Sequence, residues 1–223
     1  MDTVRSVAAA LHRPPHESRR SMMSVTPKTM PAVGYLKSLP IDDAESLLDL
    51  ELPVPQPGPH DLLVQVEAIA VNPVDYKVRQ GNDPGGEPKV LGWDAAGTVV
   101  GVGDRVELFE VGDEVFYAGA IDRPGTNSRF HTVDERIVGR KPARSPSPRR
   151  AALPLTSLTA WEGLFEHLGL RQSPEQTGTL LVTAAAGGVG AMVAQLGPGP
   201  HRPDRDRYRL PPGDPPSSPA VWA

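Results

Sequence analysis

The chain has 223 residues, 39% of them hydrophobic, a formal charge of −4 and no cysteine. That length holds one or two domains with a core, and the mild acidity gives no reason to expect nucleic acid or an anionic membrane as partner. The lack of cysteine excludes disulfides and thiolate metal sites and suits a reducing compartment such as the cytoplasm, and no apolar run approaches the ~18 residues of a membrane span.

Residues 1–30 carry Arg5, Arg13, Arg19 and Arg20 against only Asp2 and Glu17, a pattern loosely like an organelle transit peptide. Met22, Met23 and Met30 offer later starts, so the favoured expectation for 1–30 is a disordered leader or a start placed too early. Strand signals then follow at Pro31–Lys37 and Leu47–Leu52, with a proline-rich loop after the second. Asp61–Val71 alternates: Leu62, Val64, Val66, Ala68 and Ala70 point one way, and Leu63, Gln65, Glu67 and Ile69 the other. Asn72-Pro73 breaks it, and Val74–Arg79 has room for one or two helical turns. Strand character resumes over Val90–Val102, two Gly-Asp turns follow at Gly103 and Gly112, and Phe130–Val138 reads as a further strand. Short strands with Gly/Pro punctuation and little helix predict a compact β-barrel from about Pro31 to Pro142.

The character changes at Leu153–Leu170, where Leu155, Leu158, Trp161, Leu164, Phe165 and Leu168 recur with a helical period. Thr179–Val182 then reads as a buried strand, Ala185–Gly190 as a glycine turn and Ala191–Leu196 as a helix. A strand, a tight glycine turn and a helix N-terminus form an anion site, because free N–H groups and the helix dipole face the anion. Past Leu196 the pattern gives way to a Pro/Arg tail, where a second parallel strand is expected.

Five pieces occur together and in order: Ala32–Tyr35, Val71–Arg79 with its Asn72-Pro73, Leu91–Gly97, Pro154–Trp161 and the Ala185–Gly190 turn. Through them, residues from about Ala32 to Leu196 resemble the medium-chain dehydrogenase/reductases. The branch that fits is the zinc-independent quinone oxidoreductases, whose bacterial members include proteins labelled zinc-type alcohol dehydrogenase-like. The resemblance implies an α/β chain: a GroES-like barrel at 31–150, then a Rossmann domain binding NADPH in the cleft between the two. Here that second domain would be incomplete, covering 151–196, with 197–223 a disordered tail.

The activity implied is hydride transfer from NADPH to a small-molecule quinone or enone, impaired in this chain. An enoyl reductase of the same superfamily and a non-catalytic GroES-like binding module are the alternatives. Full-length relatives of this kind are expected to be homo-oligomers. No zinc is expected: where the zinc enzymes place a Cys and a Gly-His-Glu, this chain has Asn72 and Gly92-Trp93-Asp94, and Trp93 cannot coordinate.

By the resemblance, Asn72 lies near the nicotinamide ribose, although Asn-Pro is also a common turn starter. Tyr76 is the catalytic candidate, donating a proton or hydrogen bond to the acceptor oxygen, or else an aromatic packed at the barrel mouth. Thr159 falls in the segment that meets nicotinamide in relatives, though a helical Thr also bonds its own preceding turn. Ala185, Gly187, Gly188, Val189 and Gly190 form the pyrophosphate turn, with Ala185 replacing the first glycine of the pattern. His131 and His167 lack partner spacing and read as structural.

Two stretches suggest a slipped coding frame. Gly197–Gly213 can be written in allowed codons that, shifted by one base, read Ala-Arg-Ala-Leu-Thr-Gly-Leu-Thr-Val-Ile-Ala-Thr-Ala-Ser-Arg-Pro. That is a helix end, a strand and a Ser-Arg pair suited to the 2′-phosphate of NADPH. Arg144–Arg150 behaves likewise, its shifted reading being Leu-Ser-Leu-Ala-Glu-Ala, with Ser and Glu spaced as a helix capping box.

Overall fold

A computed structural model describes residues 26–141, 150–170 and 179–197. The expectations for the leader before residue 26, for 142–149 and for the tail from 198 lie outside the described residues.

Among the described residues, eight strands make two antiparallel sheets: β1 (Thr29–Tyr35), β2 (Leu48–Pro53), β3 (Asp61–Ala70), β4 (Lys89–Val90), β5 (Asp94–Val102), β6 (Glu114–Ala118), β7 (Phe130–Asp134) and β8 (Val138–Arg140). The smaller sheet has the order β2-β1-β4 and the larger β7-β3-β5-β6-β8. The first strand starts at Thr29, so the boundary expected at residue 31 falls inside it, and Met30 is a core residue.

β3 alternates as its pattern requires over Leu62 and Val64, which join Ala95, Val99, Val115, Tyr117 and Val133 in the main cluster. Its opposite face is also buried at the start, because Leu63 packs with Met30, Val54 and Phe130 in a second cluster. A strand used on both faces needs apolar residues in succession, and Leu62-Leu63-Val64 supplies them.

The long strand expected over Val90–Val102 is two strands separated by Leu91–Trp93. That connection bonds instead to the 125–127 segment, through Gly125 N to Val90 O (3.0 Å), Asn127 N to Leu91 O (2.9 Å) and Thr126 N to Gly92 O (2.8 Å). Gly92 is left-handed there (φ 93°), a conformation costly for any residue with a side chain. The strand expected over Phe130–Val138 is likewise divided, because the Asp134 carboxylate accepts from the Arg136 amide and starts a 3-10 turn, Glu135–Ile137. Glu135 then faces inward and accepts from the amides of Glu107 (2.9 Å) and Leu108 (2.7 Å), which hold its carboxyl below the usual range.

The helices that bear on the site are α1 (Pro73–Gly81), α2 (Pro154–Trp161) and α3 (Gly188–Leu196). Pro stands in the first turn of α1 and α2, where its missing N–H costs nothing. The helical period expected to run to Leu170 is α-helical only as far as Trp161; Glu162–His167 is wound as a π-helix, with Trp161 edge-on to Phe165.

Thr179–Val182 departs from expectation more sharply. Among the described residues it pairs with no strand, and Leu181 is 87% exposed. An extended apolar segment becomes a strand only when neighbours supply its hydrogen bonds, and no parallel neighbour stands beside it among the described residues.

Candidate functional site

β3 ends at Ala70, and Asn72 turns the chain into α1 as its N-cap. The Asn72 backbone amide donates to Asp75 Oδ2 (2.7 Å), which fixes the entry to the helix. α1 then lays Val74 and Val78 on a small cluster of Tyr35, Leu91 and Trp93. Trp93 is buried, with its indole N–H donating to Ala120 O (3.1 Å). At the place where a zinc enzyme would put its histidine, this chain has a packing residue. Among the described residues, no group of three His, Cys, Asp or Glu side chains is placed to hold a metal ion.

Tyr76 lies on α1 and is 52% exposed, so it is not packed in the core. The Asn72 amide group has a more defined position. Its Nδ2 donates to Asp94 Oδ2 (2.9 Å) and, more weakly, to Ala70 O (3.4 Å). Asp94 is fully buried, and its other oxygen accepts from the Leu155 backbone amide at the start of α2 (2.8 Å). Burial pushes the Asp94 carboxyl up to about 6, the hydrogen bonds from Asn72 and Leu155 pull it down, and nearby Asp75 raises it further.

The sequence reading took Asp94 only as the last letter of a motif and missed it as a site residue. One signal was available. A carboxylate inside the buried run Trp93–Ala96 requires partners, since an unpaired buried charge is too costly to keep.

The glycine turn lies beyond α2. Gly187 N bonds back to Ala184 O (2.9 Å), and Gly187 is the N-cap of α3 with no side chain over the helix end. The amides of Gly188, Val189 and Gly190 are the first of α3, for which a helix offers no partners of its own. A Cβ on Gly190 would lie 2.4 Å from Ala184 O and 2.6 Å from Ala185 Cα, so the helix can approach the turn only with glycine there. A Cβ on Gly188 would meet Thr156 Cγ2 at 3.0 Å, and Ser157 Oγ lies 3.3 Å from Met192 sulfur, so α3 sits closely on α2. The left-handed residue of the turn is Ala184 (φ 54°) and not a glycine, which costs about 1 kcal/mol.

An open helix end, a glycine-only approach and no competing side-chain cap fit the pyrophosphate of a dinucleotide. Thr159 is the weakest of the expected contacts: its hydroxyl donates to Leu155 O (2.8 Å) in the preceding turn. His131 is buried, stacks on Tyr117, and bonds both that hydroxyl (3.0 Å) and Pro124 O (2.9 Å). Burial lowers its pKa to about 4 and raises that of Tyr117, so both are neutral members of the core.

Residues 58–142 match the alcohol dehydrogenase GroES-like domain family. A zinc-type alcohol dehydrogenase-like protein of Staphylococcus epidermidis is 38% identical over 169 residues, which are 75% of this chain and 50% of that protein. A Rhizobium etli CFN 42 crystal structure described as a zinc-dependent alcohol dehydrogenase superimposes with TM-score 0.70 and 55% identity, over 75% of this chain and 49% of the other. The quinone oxidoreductase of Coxiella burnetii superimposes with TM-score 0.66 and 27% identity, over 76% of this chain and 53% of the other. The chain thus spans about half the length of the curated relatives it matches. With a GroES-like barrel followed by the opening turn of a Rossmann unit, and with these relatives, the chain belongs to the medium-chain dehydrogenase/reductase superfamily.

Proposed function

We propose that this chain is the front part of an NADPH-dependent oxidoreductase of the quinone oxidoreductase branch, acting on a small quinone or enone. The observation that carries the reading is the α3 N-terminus, where Gly190 lets the helix close on the turn and no side chain caps the first amides. The bound nucleotide would supply the hydride. The protein's own residues bind, orient and polarise. Gly187–Gly190 would hold the pyrophosphate, and Asn72 at the barrel rim would meet the nicotinamide ribose. The exposed Tyr76 hydroxyl would donate a hydrogen bond to the acceptor oxygen as charge develops on it. Metal is not needed for such a reaction, and among the described residues no group of three His, Cys, Asp or Glu side chains is placed to hold one.

For the chain as it stands, the same geometry supports weak nucleotide binding and no turnover. Thr179–Val182 should be the rigid strand that presents the turn, and among the described residues it has no strand partner. This observation favours a second reading for the present chain, a barrel serving as a non-catalytic module. NADPH-dependent turnover by this chain would reject it.

Fluorescence titration of NADPH and NADH tests the main reading on two proteins, this chain and one read in the shifted frame from Gly197 onward. The re-read protein should bind NADPH at least about tenfold tighter than NADH, since a guanidinium would pair with the 2′-phosphate. Gly187→Asp should abolish binding of both by placing a carboxylate at the pyrophosphate. Equal affinities would remove the NADPH preference, and no binding of either nucleotide would remove the oxidoreductase reading itself.

A further inference from the structure

We propose that Asp94 is a positioning residue that ties the barrel to the cofactor-side helices, one carboxylate oxygen orienting Asn72 and the other capping the first turn of α2. Its two bonds run to partners far apart in sequence: Asn72 Nδ2 at 2.9 Å and the Leu155 amide at 2.8 Å. The need at α2 is real. Its N-cap is Leu153, which has no acceptor side chain, and Pro154 has no N–H, so Leu155 carries the first amide that must find a partner.

A buried carboxylate at that amide satisfies it and places negative charge at the positive end of the helix. α2 in turn carries Thr156 and Ser157 against Gly188 and Met192 of α3. One side chain therefore sets the rim residue Asn72 and, through α2, the helix that opens the glycine turn. No other described side chain makes hydrogen bonds to both Asn72 and α2. The Asn72 part rests on reading that residue as a nucleotide contact, whereas the Leu155 part does not.

The tie is strongest when Asp94 is ionised, because a carboxylate accepts on both oxygens while a carboxylic acid must turn one of them into a donor. Its surroundings work against the charge. In register beside it are Ala70 of β3 and Ala118 of β6, and Thr126 donates to its backbone carbonyl. The titratable group facing it is Asp75 of α1, which disfavours the charge further. The tie should close as pH rises through about 6 and loosen below it.

Two-dimensional amide NMR of the full chain, without nucleotide, tests this between pH 4.5 and 8. The Leu155 backbone amide and the Asn72 side-chain amide should move together in one titration centred near 6. Asp94→Asn should erase that titration, and Asp94→Ala should speed hydrogen exchange at Leu155 about tenfold. A Leu155 amide that does not move with pH, or that stays equally protected in Asp94→Ala, overturns the proposal. Should Asp94→Ala fail to fold, the titration of the unsubstituted chain decides alone. Because no nucleotide is present, a negative result here is distinct from a failure to bind NADPH.

Discussion

Arg150→Ala is expected to stabilise the protein by about 3 kcal/mol, raising the melting temperature by roughly 6–12 °C. Arg150 is only 1% exposed, and its Nε, Nη1 and Nη2 have no hydrogen-bond partner. Its side chain is therefore held in the interior with no partner for its polar nitrogens. Breaking a buried ion pair costs about 3–5 kcal/mol for the same reason, and removing the lone charge should return most of that. Some packing of the aliphatic stem is lost with it. Arg150→Met keeps a stem of similar length without the charge, and should gain as much as alanine or more. Thermal unfolding of both variants checks this: unchanged or lowered melting in both would mean that the arginine is satisfied. The shifted reading of the Arg144–Arg150 codons ends on alanine where this arginine stands, and alanine leaves no buried polar nitrogen there.

Gly97→Ala should move stability in the opposite direction by about 3 kcal/mol, the upper part of the range for overpacking. Gly97 lies in the middle of β5, opposite Val66 of β3 and Val115 of β6. A Cβ there would sit 2.2 Å from Gln65 O and 2.9 Å from Val64 Cγ1. The first neighbour is backbone and cannot rotate away, so relief requires parting two central strands. Val64 belongs to the main cluster, so the disturbance reaches the core directly. Loss of cooperative unfolding, or melting lowered by roughly 6–12 °C, is the expected result. A variant that melts with the parent would show that the β3 backbone, already irregular between Val66 and Ala68, gives way cheaply.

The barrel was legible because its signals are local. Alternation over Asp61–Val71 and the breaks at Pro and Gly placed most strands to within a few residues. β6 was visible only as the apolar position after a Gly-Asp turn, since Glu114–Ala118 is too short to show a period. A helical period could not distinguish α from π winding at Glu162–His167, because one added residue per turn shifts a short apolar pattern very little. Thr179–Val182 failed for the opposite reason: its composition suits a strand, but strand formation is decided by partners elsewhere in the chain. The Asp94 contacts, 22 and 61 residues away, were hidden for that reason as well. Of the expected site residues, the glycine turn and Asn72 have clear local geometry, whereas Tyr76 is simply exposed and Thr159 bonds within its own helix.

The buried His131 and the buried Asp94 together give the fold a balanced proton inventory. His131, lowered from 6.5 to about 4, binds fewer protons in the folded state than when unfolded, so its contribution to stability grows as pH rises through that window. Asp94, raised from 3.8 to about 6, binds more, and its contribution falls as pH rises through nearly the same window. Each slope is about 1.4 kcal/mol per pH unit with opposite sign, so between pH 4 and 6 the two offset one another. Denaturant melts of Asp94→Asn should uncover the histidine's slope, with stability climbing from pH 4 to 6 more steeply than in the parent; parallel profiles would contradict it. Mild acid would then loosen the tie between barrel and helices while leaving the barrel's own stability almost untouched.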